Sequence, residues 1–288
     1  MPELPEVETL VRQLNQEAKG RKIVGVFFFE KKFLKNVSPL QFEKTIKGAQ
    51  IENVKRVGKN ILIYLNNNFV VLIHLKLTGH LLIGKYELVN NQLVPKEEIL
   101  KDPINQFLRF ALKLDDGRYL VLSDLRKFAK ILLLKKEGVE AEIQSIGYDP
   151  LEKNFSLKVF KNLLKDKRGI IKKFLMDQKY ISGIGNIYAS EILFDAKISP
   201  FRKINSLKEE EIKTLYESIK KILKKAIKHQ GTSAKDESYR NLYGKKGSYG
   251  QFLKVYQREG QKCFRCQHKI KRIKLDNRST FYCPFCQK

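Results

Sequence analysis

The sequence predicts an α+β chain of two domains: an N-terminal β-sandwich with flanking helices, then a helical domain closed by a zinc finger. Three observations carry this. Short β-rich runs separated by turn residues fill the first half, and runs of helical period replace them after residue 154. All four cysteines lie in the last 26 residues. A chain of 288 residues has room for two domains and a sizeable core. The expected boundaries are a sandwich over 1–135, a linker over 136–154 with turn residues Gly147, Asp149 and Pro150, a helical domain over 155–259 and the finger over 260–288.

The first helix starts where Pro5 suits a first turn. Val7, Leu10, Val11 and Leu14 then recur at helical spacing before Gly20. Strands are expected over 22–30, 50–57, 60–65 and 69–75, with Asn66-Asn67-Asn68 as the hairpin between the last two. A short helix over 38–47 has Ser38 as its cap, Pro39 at its first position and Gly48 after its end. Runs 107–114 and 119–123 flank the hairpin signal Asp115-Asp116-Gly117, and 130–134 extends the pattern. Residues 81–102 read as strand and loop. In the second half, helices are expected over 156–164, 170–177, 188–196 and 207–228, the last with Ser206 as its cap. Residues 229–260, rich in Gly, Ser, Tyr and Lys, read either as a loop that orders on a ligand or as a disordered connection.

Lys and Arg number 57 against 31 Asp and Glu, a net charge of +26 spread along the chain. A folded basic surface of this kind implies a polyanionic partner, nucleic acid before membrane. No apolar run approaches the ~18 residues of a spanning helix, and no signal peptide is expected. The reading is a cytoplasmic protein with no membrane partner. Cys263, Cys266, Cys283 and Cys286 form two C-x2-C knuckles sixteen residues apart, the spacing of a four-thiolate zinc site. Two disulfides fit poorly with a lysine-rich chain for which no leader is expected. Four thiolates fill a tetrahedron, so one structural Zn2+ is expected, with no open position to activate water. Between Lys172 and the next helix, Ser182-Gly183-Ile184-Gly185-Asn186 makes a two-glycine turn whose backbone N–H groups are able to face a phosphate. Lys167, Arg168, Lys172, Lys173 and Lys179 lead into it.

The first eight residues, Met1-Pro2-Glu3-Leu4-Pro5-Glu6-Val7-Glu8, carry the candidate chemistry. Removal of Met1 would leave a proline amine. An α-amine titrates near ~8 against ~10.4 for lysine, so more of it is neutral at pH 7. Glu3 beside it and Glu6 one helical turn on are carboxylates able to move protons. Amine plus carboxylate is the equipment for Schiff-base chemistry on an aldehyde-level carbon. The same residues also suit a plain helix start, with proline and acids in the first turn.

The N-terminal Pro2-Glu3-Leu4-Pro5-Glu6, the Gly185-Asn186-Ile187-Tyr188 turn and the four-cysteine terminus, in that order, resemble the formamidopyrimidine-DNA glycosylase family across essentially the whole chain. The resemblance implies a helix-two-turns-helix motif in the second domain. It also implies a bifunctional glycosylase and lyase that excises oxidised purines, 8-oxoguanine and formamidopyrimidines, from double-stranded DNA and also acts at abasic sites. Pro2 would be the nucleophile, Glu3 the general acid/base and Glu6 a supporting acid. Lys59, in Gly58-Lys59-Asn60, and His74 would contact phosphate near the lesion. Lys172, Asn186 and Arg278 would hold the flanking phosphates. Arg126 and Phe128, within Leu125-Arg126-Lys127-Phe128, would fill the void left by the flipped base. Leu77 stands beside them where the family usually has methionine. Lys235 would touch the flipped base from a loop over 232–249. A monomer is implied.

Two other readings remain open at this stage. An endonuclease VIII-type enzyme for oxidised pyrimidines looks similar at both ends, although that branch usually carries glycine where Leu4 stands. A non-enzymatic zinc protein that binds nucleic acid explains the charge and the finger but leaves the N-terminus without a purpose.

Overall fold

The computed structural model describes residues 2–233 and 239–288, so Met1 and Lys235 lie outside the described residues. The chain folds as two units, 1–144 together with 230–248, and 145–229 together with 249–288. The division expected from sequence, with all of 155–259 in the helical domain, therefore differs at one segment. Residues 230–248 return to the first unit because Tyr239 and Leu242 are buried in its core.

In the first unit, α1 (Leu4–Glu17) precedes β1 (Ile23–Phe28), α2 (Pro39–Ile46), β2 (Ile51–Val57), β3 (Asn60–Leu65) and β4 (Phe69–His74). The chain continues through β5 (His80–Gly84), β6 (Tyr86–Val89), β7 (Gln92–Pro95), β8 (Leu108–Leu114), β9 (Tyr119–Ser123), β10 (Lys130–Lys135) and α3 (Val139–Ile143). Two four-stranded antiparallel sheets form, in the orders β1-β8-β9-β5 and β10-β4-β3-β2. Alternation along the strands sends Phe110, Leu112, Leu120 and Leu122 from one sheet into the same core as Ile61, Ile63, Val71 and Ile73 from the other. Val7, Leu10 and Leu14 of α1 and Phe42 of α2 join this core, which makes the unit a sandwich with flanking helices. The 81–102 stretch holds more strand than its sequence announces. Strand β5 is buried along its whole length, so it lacks alternation, and β6 and β7 pair through Asn90-Asn91, both at positive φ as a tight hairpin turn needs.

In the second unit, α4 (Leu157–Leu164), α5 (Ile171–Met176), α6 (Asn186–Asp195) and α7 (Glu209–Lys228) precede a hairpin of β11 (Lys271–Leu275) and β12 (Arg278–Tyr282). Ser156 caps α4 by accepting the Val159 N–H at 3.2 Å. The start of α7 departs from expectation. Its N-cap is Lys208, whose N–H donates to the Glu211 carboxylate at 2.8 Å, while the Ser206 hydroxyl accepts from Arg202 Nε at 2.9 Å instead. One face of α7 buries Leu215, Ile219, Leu223 and Ala226. Among the described residues, no helix is long and apolar enough to cross a membrane.

Candidate active site and metal centre

Pro2 and Glu3 stand at the head of α1, with Glu3 as its extended N-cap residue (φ −105°, ψ −169°). Pro2, Glu3 and Glu6 are all buried. Glu6 is held from two sides. Its Oε2 accepts the Glu3 N–H at 2.8 Å, and its Oε1 accepts the N–H of Thr232 at 2.7 Å. Gly231, before Thr232, has φ +81°, and a Cβ there would stand 2.7 Å from Glu6 Oε1. A Cβ on Gly247 would stand 2.4 Å from the Gly231 carbonyl oxygen, so the two ends of the 231–247 segment cross backbone to backbone. The segment is fastened again beyond: Arg240, 3% exposed, pairs with Asp102 at 2.8 Å, the Leu242 N–H donates to Gln13 Oε1 at 2.9 Å, and the Tyr243 hydroxyl donates to Glu17 Oε1 at 2.9 Å.

Lys59 lies in the turn joining β2 to β3 and is 8% exposed. Arg56 secures that turn to α1, meeting Glu8 Oε2 at 2.7 Å and donating to the Gly58 carbonyl at 3.4 Å. Burial pushes the Glu8 carboxyl up, but hydrogen bonds from Arg56 and Arg12 outweigh it and hold the group below its usual range. His74 ends β4 opposite Asn60, next in sequence to Lys59. Burial first, then the charges of Lys76 and Lys59, push its pKa down to about 4. The ring is therefore neutral at pH 7. Its Nδ1 accepts the Lys76 N–H at 3.0 Å, which leaves the ring proton on Nε2.

Leu77 sits in the turn after β4, partly exposed. Arg126 and Phe128 sit in the loop between β9 and β10, the guanidinium 4.9 Å from the Phe128 ring centroid, with Phe128 49% exposed. Thr78 joins the two loops: its hydroxyl donates to Asp124 and accepts the Arg126 N–H at 3.0 Å.

In the second unit, Lys172 on α5 is 1% exposed. Its ammonium donates to Asn186 Oδ1 and to Thr280 Oγ1, each at 2.8 Å. Asn186, the first residue of α6, donates in turn to the Ser279 carbonyl at 2.9 Å. Two helices and the terminal hairpin thus meet at one buried ammonium. Arg278 heads β12 after a turn of Asp276-Asn277, both at positive φ, and is exposed. It lines a cavity of about 240 Å³ with Lys172, Lys173 and Asp276.

Cys263, Cys266, Cys283 and Cys286 gather at the base of this hairpin with all Sγ atoms within 4.8 Å of one another. Cys263 and Cys286 are 3.9 Å apart and Cys266 and Cys283 3.4 Å, none of them in a disulfide. Metal–sulfur bonds of about 2.3 Å in a tetrahedron put sulfurs roughly 3.8 Å apart. The four thiols fit one tetrahedral metal ion. The finger is fixed to its unit by Arg265, which donates to the Phe194 and Asp195 carbonyls at the end of α6, and by Gln287, which donates to the Ile198 carbonyl at 2.9 Å.

Family models match three consecutive stretches: the formamidopyrimidine-DNA glycosylase N-terminal domain over 1–131, the H2TH domain of the same glycosylase over 146–238, and the zinc finger found in FPG and IleRS over 260–288. The chain belongs to the formamidopyrimidine-DNA glycosylase family. The formamidopyrimidine-DNA glycosylase of Herpetosiphon aurantiacus is 40% identical over 288 residues, covering 100% of both chains. That of Chloroflexus aurantiacus is 38% identical over 287 residues, covering 100% of this chain and 98% of that protein. The crystal structure of the Lactococcus lactis Fpg with N7-benzyl-Fapy-dG DNA shares the fold with a TM-score of 0.87 at 31% identity, covering 100% of each chain. Its complex with abasic-site DNA gives 0.87 over 99% of each.

The H2TH match over residues 146–238 takes in helices α4 to α7 and the turns through Gly183 and Gly185. The sequence reading missed Asp124, Thr78 and the Gly231–Thr232 seat of Glu6. Asp124 had a local signal, since an aspartate entering a turn commonly binds the N–H groups that follow. The Glu6–Thr232 contact had none, because the partners are 226 residues apart.

Proposed function

We propose that this DNA glycosylase of base-excision repair excises oxidised purines, 8-oxoguanine and formamidopyrimidines, from double-stranded DNA and then cuts the strand by β,δ-elimination. The nucleophile is the amine of Pro2 once Met1 is removed. The observation that carries this reading is the double fastening of Glu6, which holds the Glu3 N–H, next in the chain to Pro2, at the head of α1. The amine attacks C1′ as the bond to the damaged base breaks, and the proton that the amine gives up is carried to the departing base. Glu3 protonates the ring oxygen as the sugar opens, and the C1′–N bond becomes an iminium. That cation acidifies the C2′ protons, so loss of one of them expels the 3′ phosphate. A second elimination, with loss of the C4′ proton, expels the 5′ phosphate, and water then hydrolyses the iminium to free the Pro2 amine.

His74 and Lys59 contact phosphate near the lesion, and Asn186 and Arg278, with Lys172 behind them, hold the flanking phosphates. Arg126 pairs with the orphaned cytosine, and Phe128 and Leu77 wedge beside it. Lys235 meets the flipped base. The cysteines hold one structural Zn2+ that keeps the β11–β12 hairpin folded. The net charge of +26 suits a duplex partner. The protein acts as a monomer in the cytoplasm.

A second reading, activity on oxidised pyrimidines, draws support from a structure of the Lactococcus lactis Fpg with oxidised-pyrimidine DNA. Borohydride trapping of Met1-free, zinc-loaded protein separates the two. A covalent adduct is expected on a duplex with 8-oxoguanine opposite cytosine, more slowly on oxidised pyrimidine, and none after the N-terminus is blocked. Absence of any adduct overturns the enzyme reading, and faster trapping on the pyrimidine favours the second.

A further inference from the structure

The loop that carries Arg126 and Phe128 is organised by a residue with no part in the proposed chemistry. Asp124 is 0% exposed, and its carboxylate accepts four hydrogen bonds. Oδ1 receives the Thr78 hydroxyl at 2.5 Å and the Arg126 N–H at 3.2 Å. Oδ2 receives the N–H groups of Phe128 at 2.7 Å and Ala129 at 2.8 Å. The Asp124 backbone is itself held, its N–H donating to the Phe107 carbonyl at 2.9 Å and its carbonyl accepting Arg109 Nε at 3.0 Å. Lys127, between the two exposed side chains, has φ +58°, a conformation uncommon for a non-glycine residue. The carboxylate spans it, binding the N–H before Lys127 and the N–H after it.

Thr78 extends this control to the second loop. It follows Leu77 directly, and its hydroxyl lies between Asp124 Oδ1 and the Arg126 N–H. One buried carboxylate therefore sets the backbone under Arg126 and Phe128 and, through one hydroxyl, the turn that carries Leu77. A charged acceptor strengthens each of these bonds and makes loss of one costly.

We infer that Asp124, acting with Thr78, is the positioning residue that makes Leu77, Arg126 and Phe128 enter the duplex as one rigid wedge, and that it thereby sets discrimination of the base opposite the lesion. The inference rests on the reading of those three residues as void-filling. Arg126 reads the opposite base by direct contact, so its selectivity depends on where its backbone is held. Substitution at Asp124 or Thr78 removes no group that touches DNA in this scheme, yet lets the guanidinium wander.

The test compares single-turnover excision of 8-oxoguanine opposite cytosine with excision opposite adenine, for wild type, Arg126→Ala, Thr78→Val, Thr78→Ser and Asp124→Asn. In Asp124→Asn an amide NH2 must face an N–H or replace an acceptor, while Thr78→Val removes only the hydroxyl. Expected are a loss of the cytosine preference in Arg126→Ala, a drop of about ten-fold in Thr78→Val and at least as much in Asp124→Asn, the size of one lost hydrogen bond to a charged group. Recovery is expected in Thr78→Ser, which a volume effect at this site would not produce. A preference that survives in Thr78→Val and Asp124→Asn but not in Arg126→Ala overturns the positioning role alone. A preference that survives in Arg126→Ala overturns the void-filling reading beneath it. Should Asp124→Asn fail to fold, Thr78→Val and Thr78→Ser decide.

Discussion

The carboxylate of Glu6 joins the N-H of Glu3 to the N-H of Thr232, one oxygen to each, at 2.8 and 2.7 Å. A glutamine in its place has one acceptor oxygen and one NH2, so one of the two N–H groups would face a donor. Glu6→Gln should cost about 1–3 kcal/mol of stability, the penalty for an unsatisfied buried polar group, and should slow borohydride trapping. Urea denaturation and single-turnover trapping measure the two effects. Unchanged trapping would show that the head of α1 holds its place without Thr232.

Gly231 tests the same contact from the other side. Its φ of +81° disfavours any side chain, and a Cβ would also meet Glu6 Oε1 at 2.7 Å. Gly231→Ala should lower stability by at least about 1 kcal/mol and slow trapping, as Glu6→Gln does. Because both substitutions act on one contact, the double variant should lose less than the sum of the two. Strict additivity in that double-mutant cycle would separate them.

His80 predicts an acid limb in stability. It is 1% exposed, with Nε2 3.0 Å from Asn105 Oδ1 and Nδ1 3.3 Å from the Thr78 carbonyl. Burial, the largest cause, pushes its pKa from 6.5 down to about 4 against the hydrogen bonds to Thr78 and Asn105, which raise it; Arg240 adds to the shift and Asp124 opposes it. The folded ring stays neutral where the unfolded one binds a proton. Its contribution is therefore complete above pH 6.5 and is lost as pH falls toward 4, on the order of 3 kcal/mol in all. His74 acts in the same direction. Denaturation curves between pH 4.5 and 7.5 should slope downward to acid, and His80→Gln should flatten that slope while lowering stability at pH 7. An equal slope in the variant would assign the acid limb elsewhere.

What the sequence disclosed and what it hid follow from the range of the interactions. The head of α1, the cap at Ser38 and the cysteine knuckles are patterns within a few residues, and each stands where expected. Residues 229–260 read from sequence as a ligand-ordered loop or a disordered connection, but the polar groups of 230–248 are its fastenings: Arg240 to Asp102, Tyr243 to Glu17, Thr232 to Glu6. Those partners lie more than a hundred residues away, and no local period encodes them. Ser206 looked like a cap because serine usually serves as one, but Arg202 had claimed its hydroxyl.

Lys172 and Arg278 should separate folding from binding. Lys172→Met would leave Asn186 Oδ1 and Thr280 Oγ1 without the ammonium between them, at a cost of about 1–3 kcal/mol, so both melting temperature and DNA affinity should fall. Arg278 is exposed, and Arg278→Ala should change stability by less than about 0.5 kcal/mol. Its affinity loss should instead appear in the salt dependence, with the log-log slope reduced by about 0.9 for one phosphate contact. Fluorescence anisotropy across a salt series measures this. An unchanged slope would remove Arg278 from the phosphate contacts.

Metal removal should act on DNA binding through this same buried ammonium. Four thiols within 4.8 Å of one another repel as thiolates unless an ion holds them, and a structural zinc supplies on the order of 10 kcal/mol or more to a small module. Without it the β11–β12 hairpin loses the base that keeps its strands in register. Ser279 and Thr280 then leave Asn186 and Lys172, and Arg278 loses its fixed place. Chelation, or Cys283→Ser, should therefore lower affinity for duplex DNA by much more than Arg278→Ala alone. Hydrogen exchange should rise over 260–288 and at the start of α6, while the sandwich strands of the first unit keep their protection. Unchanged affinity after verified metal loss would mean that the hairpin does not reach DNA, and protection lost equally in β3 and β4 would mean that the ion stabilises more than its own module.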